Sequence, residues 1–140
     1  MAKRKADAAL AAVPLFDNLT KRHLKKVAAL GTITKYMASH SIVRQGEPGE
    51  TFLVVLEGQA KVQVGGRTVN RLIHGDHFGE VSLLDGGVRS ATVESETPMR
   101  LFEISRAAFM KTIEHDGELA LALLSSLART IRRVDRSIGR

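Results

Sequence analysis

Glu80 and Arg89 stand nine residues apart in the stretch Phe78-Gly79-Glu80-Val81-Ser82-Leu83-Leu84-Asp85-Gly86-Gly87-Val88-Arg89-Ser90-Ala91-Thr92-Val93, separated by a short apolar turn and the pair Gly86-Gly87. A guanidinium presents parallel N–H donors that suit a phosphate. A helical turn starting at Gly79-Glu80 would add unpaired backbone N–H groups and the positive end of a helix dipole. Glu80 does not fit as a phosphate ligand, because two anions repel. It fits as an acceptor for hydroxyl groups, such as those of a sugar attached to that phosphate. The chemistry these residues suit is sugar-phosphate recognition. A plain cross-loop salt bridge between Glu80 and Arg89 is the alternative.

Other side-chain sets point elsewhere only weakly. His74 and His77 are close in sequence, but no further histidine or carboxylate completes a metal-binding pattern, and His40 and His115 have no evident partners. No serine sits in a Gly-x-Ser-x-Gly elbow and cysteine is absent, so nucleophilic catalysis and thiolate metal sites find no support. The expectation is a binding protein with no catalytic residues, no metal and no cofactor.

The elements that must position the stretch follow from periodicity. Thr20 is a good helix N-cap, Leu24, Val27, Ala28 and Leu30 make one apolar face, and Gly31 is a stop. His23 falls on the polar side and is expected to be solvated. Between Thr32 and Ile104 the texture becomes short alternating segments separated by glycine-containing turns. They include Ile42-Val43, Phe52–Leu56, Ala60–Val64, Thr68–Leu72, Ala91–Glu94 and Met99–Ile104. Many short strands at near-regular spacing predict a sandwich, roll or barrel, and Gly65-Gly66 predicts a tight hairpin. Ser105 caps a helix from Arg106 to about Glu114, and Gly117 separates it from a last helix, about Glu118 to Ile138. Ala120, Leu124, Leu127, Ile131, Val134 and Ile138 form a heptad-like seam on that helix. The seam suits either packing on the roll or pairing with a second copy.

At 140 residues the chain supports one domain. The division expected is a mobile basic tail over 1–12 and a single domain over 13–140: helices about 14–30, a β-roll about 32–104 and C-terminal helices about 105–138. The net charge of +6 is split as +5 in residues 1–30, −2 in the middle and +3 in residues 117–140. Aromatics are only 4 % and tryptophan is absent, so no basic-aromatic platform for nucleic acid is apparent. No stretch approaches the roughly 20 apolar residues of a membrane span, and no segment reads as a signal peptide. No membrane contact, no direct nucleic-acid binding and a cytoplasmic location are expected.

Phe78-Gly79-Glu80, an apolar turn and then Arg89-Ser90-Ala91-Thr92-Val93 resemble the phosphate-binding cassette of cyclic nucleotide-binding domains. These occur in regulatory subunits of cyclic-AMP-dependent protein kinase, in bacterial catabolite activators and in cyclic nucleotide-gated channels. Pro14-Leu15-Phe16 through Leu19, Gly46-Glu47-Pro48-Gly49-Glu50, Glu57-Gly58 and His74-Gly75-Asp76 continue the resemblance in order, over roughly 14–138. It implies a mainly β fold, a jelly-roll-type β-roll with N-terminal helices and a long C-terminal helix.

It also implies roles. Phe78, Gly79, Glu80, Val81, Ser82, Arg89, Ser90 and Ala91 would form the cassette. Glu80 would accept from the ribose 2′-hydroxyl, Arg89 would pair with an exocyclic phosphate oxygen, and Gly79 would approach the ribose. Val62, Val69 and Val81 would face the base, and Arg133 or Arg136 would lie over the purine by cation–π stacking. Ser90 offers a hydroxyl to phosphate or base, so it does not decide the base; the resemblance favours cyclic AMP over cyclic GMP. The function implied is a non-enzymatic sensor in which ligand repositions the C-terminal helices to signal to a protein effector, with a homodimer through the last helix. The alternatives are a ligand-free interaction module of the same fold, or the sensor fragment of a larger transcription regulator.

Overall fold

Five successive buried residues, Phe52 to Leu56, mark the strand around which the molecule is organised. A strand buried on both faces reads as a continuous apolar run, because alternate side chains serve two separate layers. The computed structural model describes residues 2–138, and all their side chains except those of 2–5 and 81. In it the strands are β1 (Thr32–Tyr36), β2 (Ser41–Val43), β3 (Thr51–Glu57), β4 (Ala60–Val64), β5 (Arg67–Leu72), β6 (His77–Phe78), β7 (Thr92–Ser95) and β8 (Met99–Ser105). They form two antiparallel four-stranded sheets, ordered β1-β8-β3-β6 and β2-β7-β4-β5. The mainly β architecture with flanking helices is as the sequence texture predicts. Gly65 and Gly66 take φ of 57° and 81°, the left-handed pair that a tight β4–β5 hairpin requires.

Inside the roll, Leu53 and Val55 of β3 meet Met99 and Leu101 of β8, with Ala60, Leu72 and Val93. On the other face, Phe52, Val54 and Leu56 meet Phe102 and Ile104 beneath a helical layer. That layer comprises α1 (Ala2–Ala11), a 3₁₀ turn (Pro14–Phe16), α2 (Lys21–Ala28), α4 (Arg106–Glu114) and α5 (Gly117–Ser137). A sixth helical segment, α3 (Glu80–Asp85), belongs to the site. Phe16 stands edge-on to Phe52, 5.6 Å between ring centres, and 6.1 Å from Phe109, an aromatic seal between turn, strand and helix.

Three expectations are corrected here. Residues 1–12 are not simply a mobile tail: Ala2–Ala11 is helical, and Ala6, Leu10 and Val13 are fully buried against the core. The alanine-rich segment has high helix propensity, and its narrow apolar stripe was masked by Lys3-Arg4-Lys5. His23 is not solvated but buried, with its Nε2 3.5 Å from Asp116 Oδ2. The buried face of α2 is turned to take in His23 and Val27, four residues apart. Asp116 also accepts from Lys26 Nζ at 2.9 Å and caps α5 by accepting from Leu119 N–H at 3.1 Å. The Lys26 hydrogen bond and then that backbone bond hold its carboxyl well below the usual range, at about 2.

The third concerns the seam of α5. Leu119, Leu123 and Ser126 face the core, and Leu127 packs partly against it. Leu124, Ile131, Val134 and Ile138 remain 55–61 % exposed. The heptad-like row therefore runs beside the packed face, and only Ala120 and Leu127 from it are partly covered.

Candidate functional site

The turn after β6 sets the site. Gly79 has φ 92° and ψ 10°, caps α3 and reverses the chain. A Cβ there would lie 2.4 Å from Arg89 Nη1 and 2.8 Å from the Thr51 carbonyl oxygen. Only glycine combines this backbone with that approach. α3 ends at Gly86, also left-handed, whose N–H donates to Ser82 O at 2.9 Å. Asp85 Oδ1 accepts from Gly87 N–H at 2.7 Å, which directs the return segment.

That segment is laced to the loop at Gly46–Gly49. Arg89 N–H donates to Glu47 O at 2.8 Å, Gly46 N–H to Arg89 O at 2.8 Å, and Gly49 N–H to Gly87 O at 2.9 Å. The backbone of Arg89 is thereby held from both sides. Its side chain is equally constrained: Nη2 donates to Thr51 O at 2.7 Å and to Thr51 Oγ1 at 3.0 Å. Arg89 is only 7 % exposed, and its Nη1 is buried with no hydrogen-bond partner among the described residues. Burial lowers its pKa, and the nearby charge of Glu50 opposes that shift. Buried polar groups are nearly always satisfied, so a strained exception asks for an acceptor that the chain does not supply.

These residues line a cavity of about 510 Å³ between the second sheet and α3. Val43, Val62, Val93, Asn70 and Leu72 supply one wall. Phe78, Gly79, Glu80, Ser82 and Asp85 supply the other, and Gly87 through Ala91 close it. A larger groove of about 720 Å³ lies between α1 and the end of β3, lined mainly by alanines, Val55 and Leu56, and holds no buried cation. The combination of an apolar wall with a buried, half-satisfied guanidinium belongs to the smaller cavity.

Of the expected site residues, Phe78, Gly79, Glu80, Ser82, Arg89, Ser90, Ala91 and Val62 are brought together. Val81 lies in α3, and its side chain is outside the described residues. Val69 is not at the cavity: it is 60 % exposed on β5, where a register shift between Val62 and Gln63 makes Asn70 the partner of Val62. Arg133 and Arg136 are also away from it, on the exposed outer part of α5. The cross-loop salt bridge is not made. Glu80 Oε2 lies 2.5 Å from His77 Nδ1, and Arg89 is held by Thr51. Thr51 and Asn70 escaped the sequence reading, and His77 was weighed there only as a metal ligand. Gly46–Glu50 was visible as a motif, and its proximity to Thr51 was the only signal for the anchor.

Contacts also join the site to the C-terminal helices. Arg106 Nη2, at the start of α4, donates to the Leu84 carbonyl at 3.3 Å near the end of α3. Leu84 lines an apolar cleft of about 240 Å³ with Met110, Ile113, Leu123 and Leu127 of α4 and α5. Among the described residues no helix is long and apolar enough to cross a membrane.

The family model described as "Cyclic nucleotide-binding domain" matches residues 33–116. The chain is 32 % identical over 129 residues to the cAMP-dependent protein kinase regulatory subunit of Schizosaccharomyces pombe, covering 91 % of this chain and 30 % of that protein. It is 37 % identical over 111 residues to the cGMP-dependent protein kinase egl-4 of Caenorhabditis briggsae, covering 74 % of this chain and 15 % of the other. The chain thus spans less than a third of these relatives. Among solved structures it is similar to the N-terminal domain of a transcriptional regulator from Streptomyces coelicolor, with 26 % identity and a TM-score of 0.83 over 94 % of this chain and 96 % of that one. It is also similar to the regulatory domain of Toxoplasma gondii PKA with cAMP, at 31 % identity and a TM-score of 0.71, covering 78 % and 43 %.

Proposed function

Because this chain belongs to the cyclic nucleotide-binding domain family, we propose that it is a non-enzymatic, cytoplasmic sensor of cyclic AMP. The observation that carries this reading is Arg89, which lines a cavity with Glu80 and Ser90 and whose buried Nη1 has no hydrogen-bond partner among the described residues. A cyclic phosphate would satisfy that donor, and Glu80 would accept from the ribose hydroxyl. The apolar wall of Val62 and Val93 suits a purine. Preference for cyclic AMP is supported by a similar domain solved with cAMP, while Ser90 leaves cyclic GMP as the second choice. Calorimetric titration with both nucleotides in parallel tests it. Cyclic AMP is expected to bind more tightly, and a tenfold preference for cyclic GMP reverses the choice of base.

Glu80→Gln tests the ribose assignment. An amide accepts less strongly than a carboxylate, so affinity for cyclic AMP should fall about tenfold, the equivalent of roughly 1.4 kcal/mol. Affinity for 2′-deoxy cyclic AMP should barely change. Equal losses for both ligands would make Glu80 a structural residue.

The signalling step of this proposal runs through α3. Ligand drawn onto Arg89 and the α3 turn would shift Leu84, its Arg106 contact and the cleft shared with α4 and α5, moving α5 toward the base and presenting it to a protein effector. Because Arg133 and Arg136 do not line the cavity here, their stacking on the purine would require that movement.

The exposed row Leu124, Ile131, Val134 and Ile138 supports pairing with a second copy. Nearby arginines would oppose it, so association should tighten as salt rises. Ile131→Asp with Val134→Asp should give a monomer that still binds nucleotide. Leu127 is unsuitable for this test because it contributes to the core. Sedimentation of a wild-type monomer at high concentration and high salt would end the dimer proposal.

A further inference from the structure

His77 and Phe78 are successive residues of β6, and successive strand side chains point to opposite faces. Phe78 lines the cavity, whereas the His77 ring lies 6.0 Å from that of Phe52, in the layer facing the helices. Even so, His77 Nδ1 reaches Glu80 Oε2 at 2.5 Å. Glu80 also lines the cavity, yet this oxygen is buried and turned back to a residue behind it. One oxygen of the carboxylate that suits a ribose hydroxyl is already in ion-pair contact with this imidazole.

We propose that His77 is a specificity-determining residue, withholding the Glu80 carboxylate from the ribose hydroxyl while its imidazole is protonated and releasing it when neutral. The inference rests on the reading of this cavity as a cyclic nucleotide site. The charged groups acting on His77 are Glu80, from α3, and Asp76, from the turn before β6. The β3 side presents Phe52 and the backbone of Val54, neither of them charged. Contact with Glu80 raises the His77 pKa above the ordinary histidine value, burial opposes this, and Asp76 adds to it. The imidazole therefore stays charged to a higher pH than a free histidine. Below that pKa a ribose hydroxyl competes with an ion pair for Glu80; above it the competitor is neutral and weaker. Ribose-dependent affinity accordingly rises with pH, and binding releases a proton by linkage.

The test is calorimetric titration of the full chain with cyclic AMP and 2′-deoxy cyclic AMP from about pH 6 to about pH 8.5, read as the ratio of their dissociation constants. Both ligands carry the same phosphate and meet the same remaining titrations, so those effects cancel. The ratio by which cyclic AMP is preferred should rise on the order of 3- to 10-fold, the effect of one competing charge-assisted hydrogen bond at the carboxylate. Repetition in buffers of different ionisation enthalpy should show proton release with cyclic AMP alone. His77→Phe keeps a ring against Phe52 and should make the ratio high and independent of pH. His77→Gln, with an unchanged melting temperature as its check on folding, should also abolish the pH dependence. A ratio that falls with pH, or a variant that keeps the wild-type profile, overturns the proposal. A flat wild-type ratio with both ligands bound overturns the role of His77 alone, whereas binding of neither nucleotide overturns the reading of the cavity as well.

Discussion

Arg89→Ala is expected to lower cyclic nucleotide affinity roughly 30- to 1000-fold, since a charge-assisted phosphate contact in a shielded site is worth on the order of 2–4 kcal/mol. The magnitude follows from where the guanidinium sits. It is 7 % exposed, one arm is fastened to Thr51, and the other is buried with no acceptor among the described residues. A ligand phosphate therefore meets a donor whose desolvation was already spent in folding, so its contact is little diluted by water. Arg67→Ala, on the exposed β4–β5 hairpin, should leave affinity unchanged. Arg106 is a poorer control, because its contact with Leu84 O braces the end of α3. Arg89→Lys should fall between: it keeps the charge but cannot serve Thr51 and a phosphate with one rigid fork. Titrations at low and moderate salt should give nearly the same loss. Similar losses for Arg67→Ala and Arg89→Ala would show that no specific phosphate site exists.

The second large effect is expected at Gly79. Gly79→Ala places a Cβ 2.4 Å from Arg89 Nη1 and 2.8 Å from Thr51 O, at a φ of 92°. Holding an L-residue in such backbone costs about 1–3 kcal/mol, or roughly 3–10 °C in melting temperature for a domain of this size. The guanidinium tip can move, but the Thr51 carbonyl cannot move cheaply, because Thr51 is paired with Ser105 of β8 and the next residues of β3 lie between β8 and β6. The Arg89–Thr51 bond should loosen and affinity should fall about 30-fold or more, toward the loss from Arg89→Ala. Gly65→Ala separates the two effects. Its φ is 57° but its Cβ position is open, so it should lose stability and keep full affinity. Calorimetry and thermal melting on the three proteins decide the matter. Wild-type affinity in Gly79→Ala would mean that the close approach of Gly79 to Arg89 is not what positions the phosphate donor.

The sequence by itself determined the type of fold and most of the residues between Phe78 and Ala91 that line the cavity. Strand alternation between Thr32 and Ile104, the caps Thr20 and Ser105 and the Gly65-Gly66 hairpin are local effects, written in side-chain period and backbone preference. The run from Phe78 to Ala91 was legible as spacing because it lies on one continuous stretch of chain, whereas the close approach of Gly79 to Arg89 was not. What depended on distant chain segments was not legible. His23 became buried because Asp116, far away in sequence, supplies a partner. Ala2–Ala11 became an ordered helix because the outer face of β3 offers it a surface. Rotation of α5 by a fraction of a turn chose Leu119 and Leu123 for the core, leaving Ile131 and Val134 outside. The same holds within the site. Thr51 anchors Arg89, Asn70 replaces Val69 at the wall through a shifted register, and His77 claims the carboxylate of Glu80. Local pattern specifies which way a side chain alternates along its own element. Only tertiary packing decides which partner stands opposite, because that depends on register, rotation and burial contributed by another part of the chain.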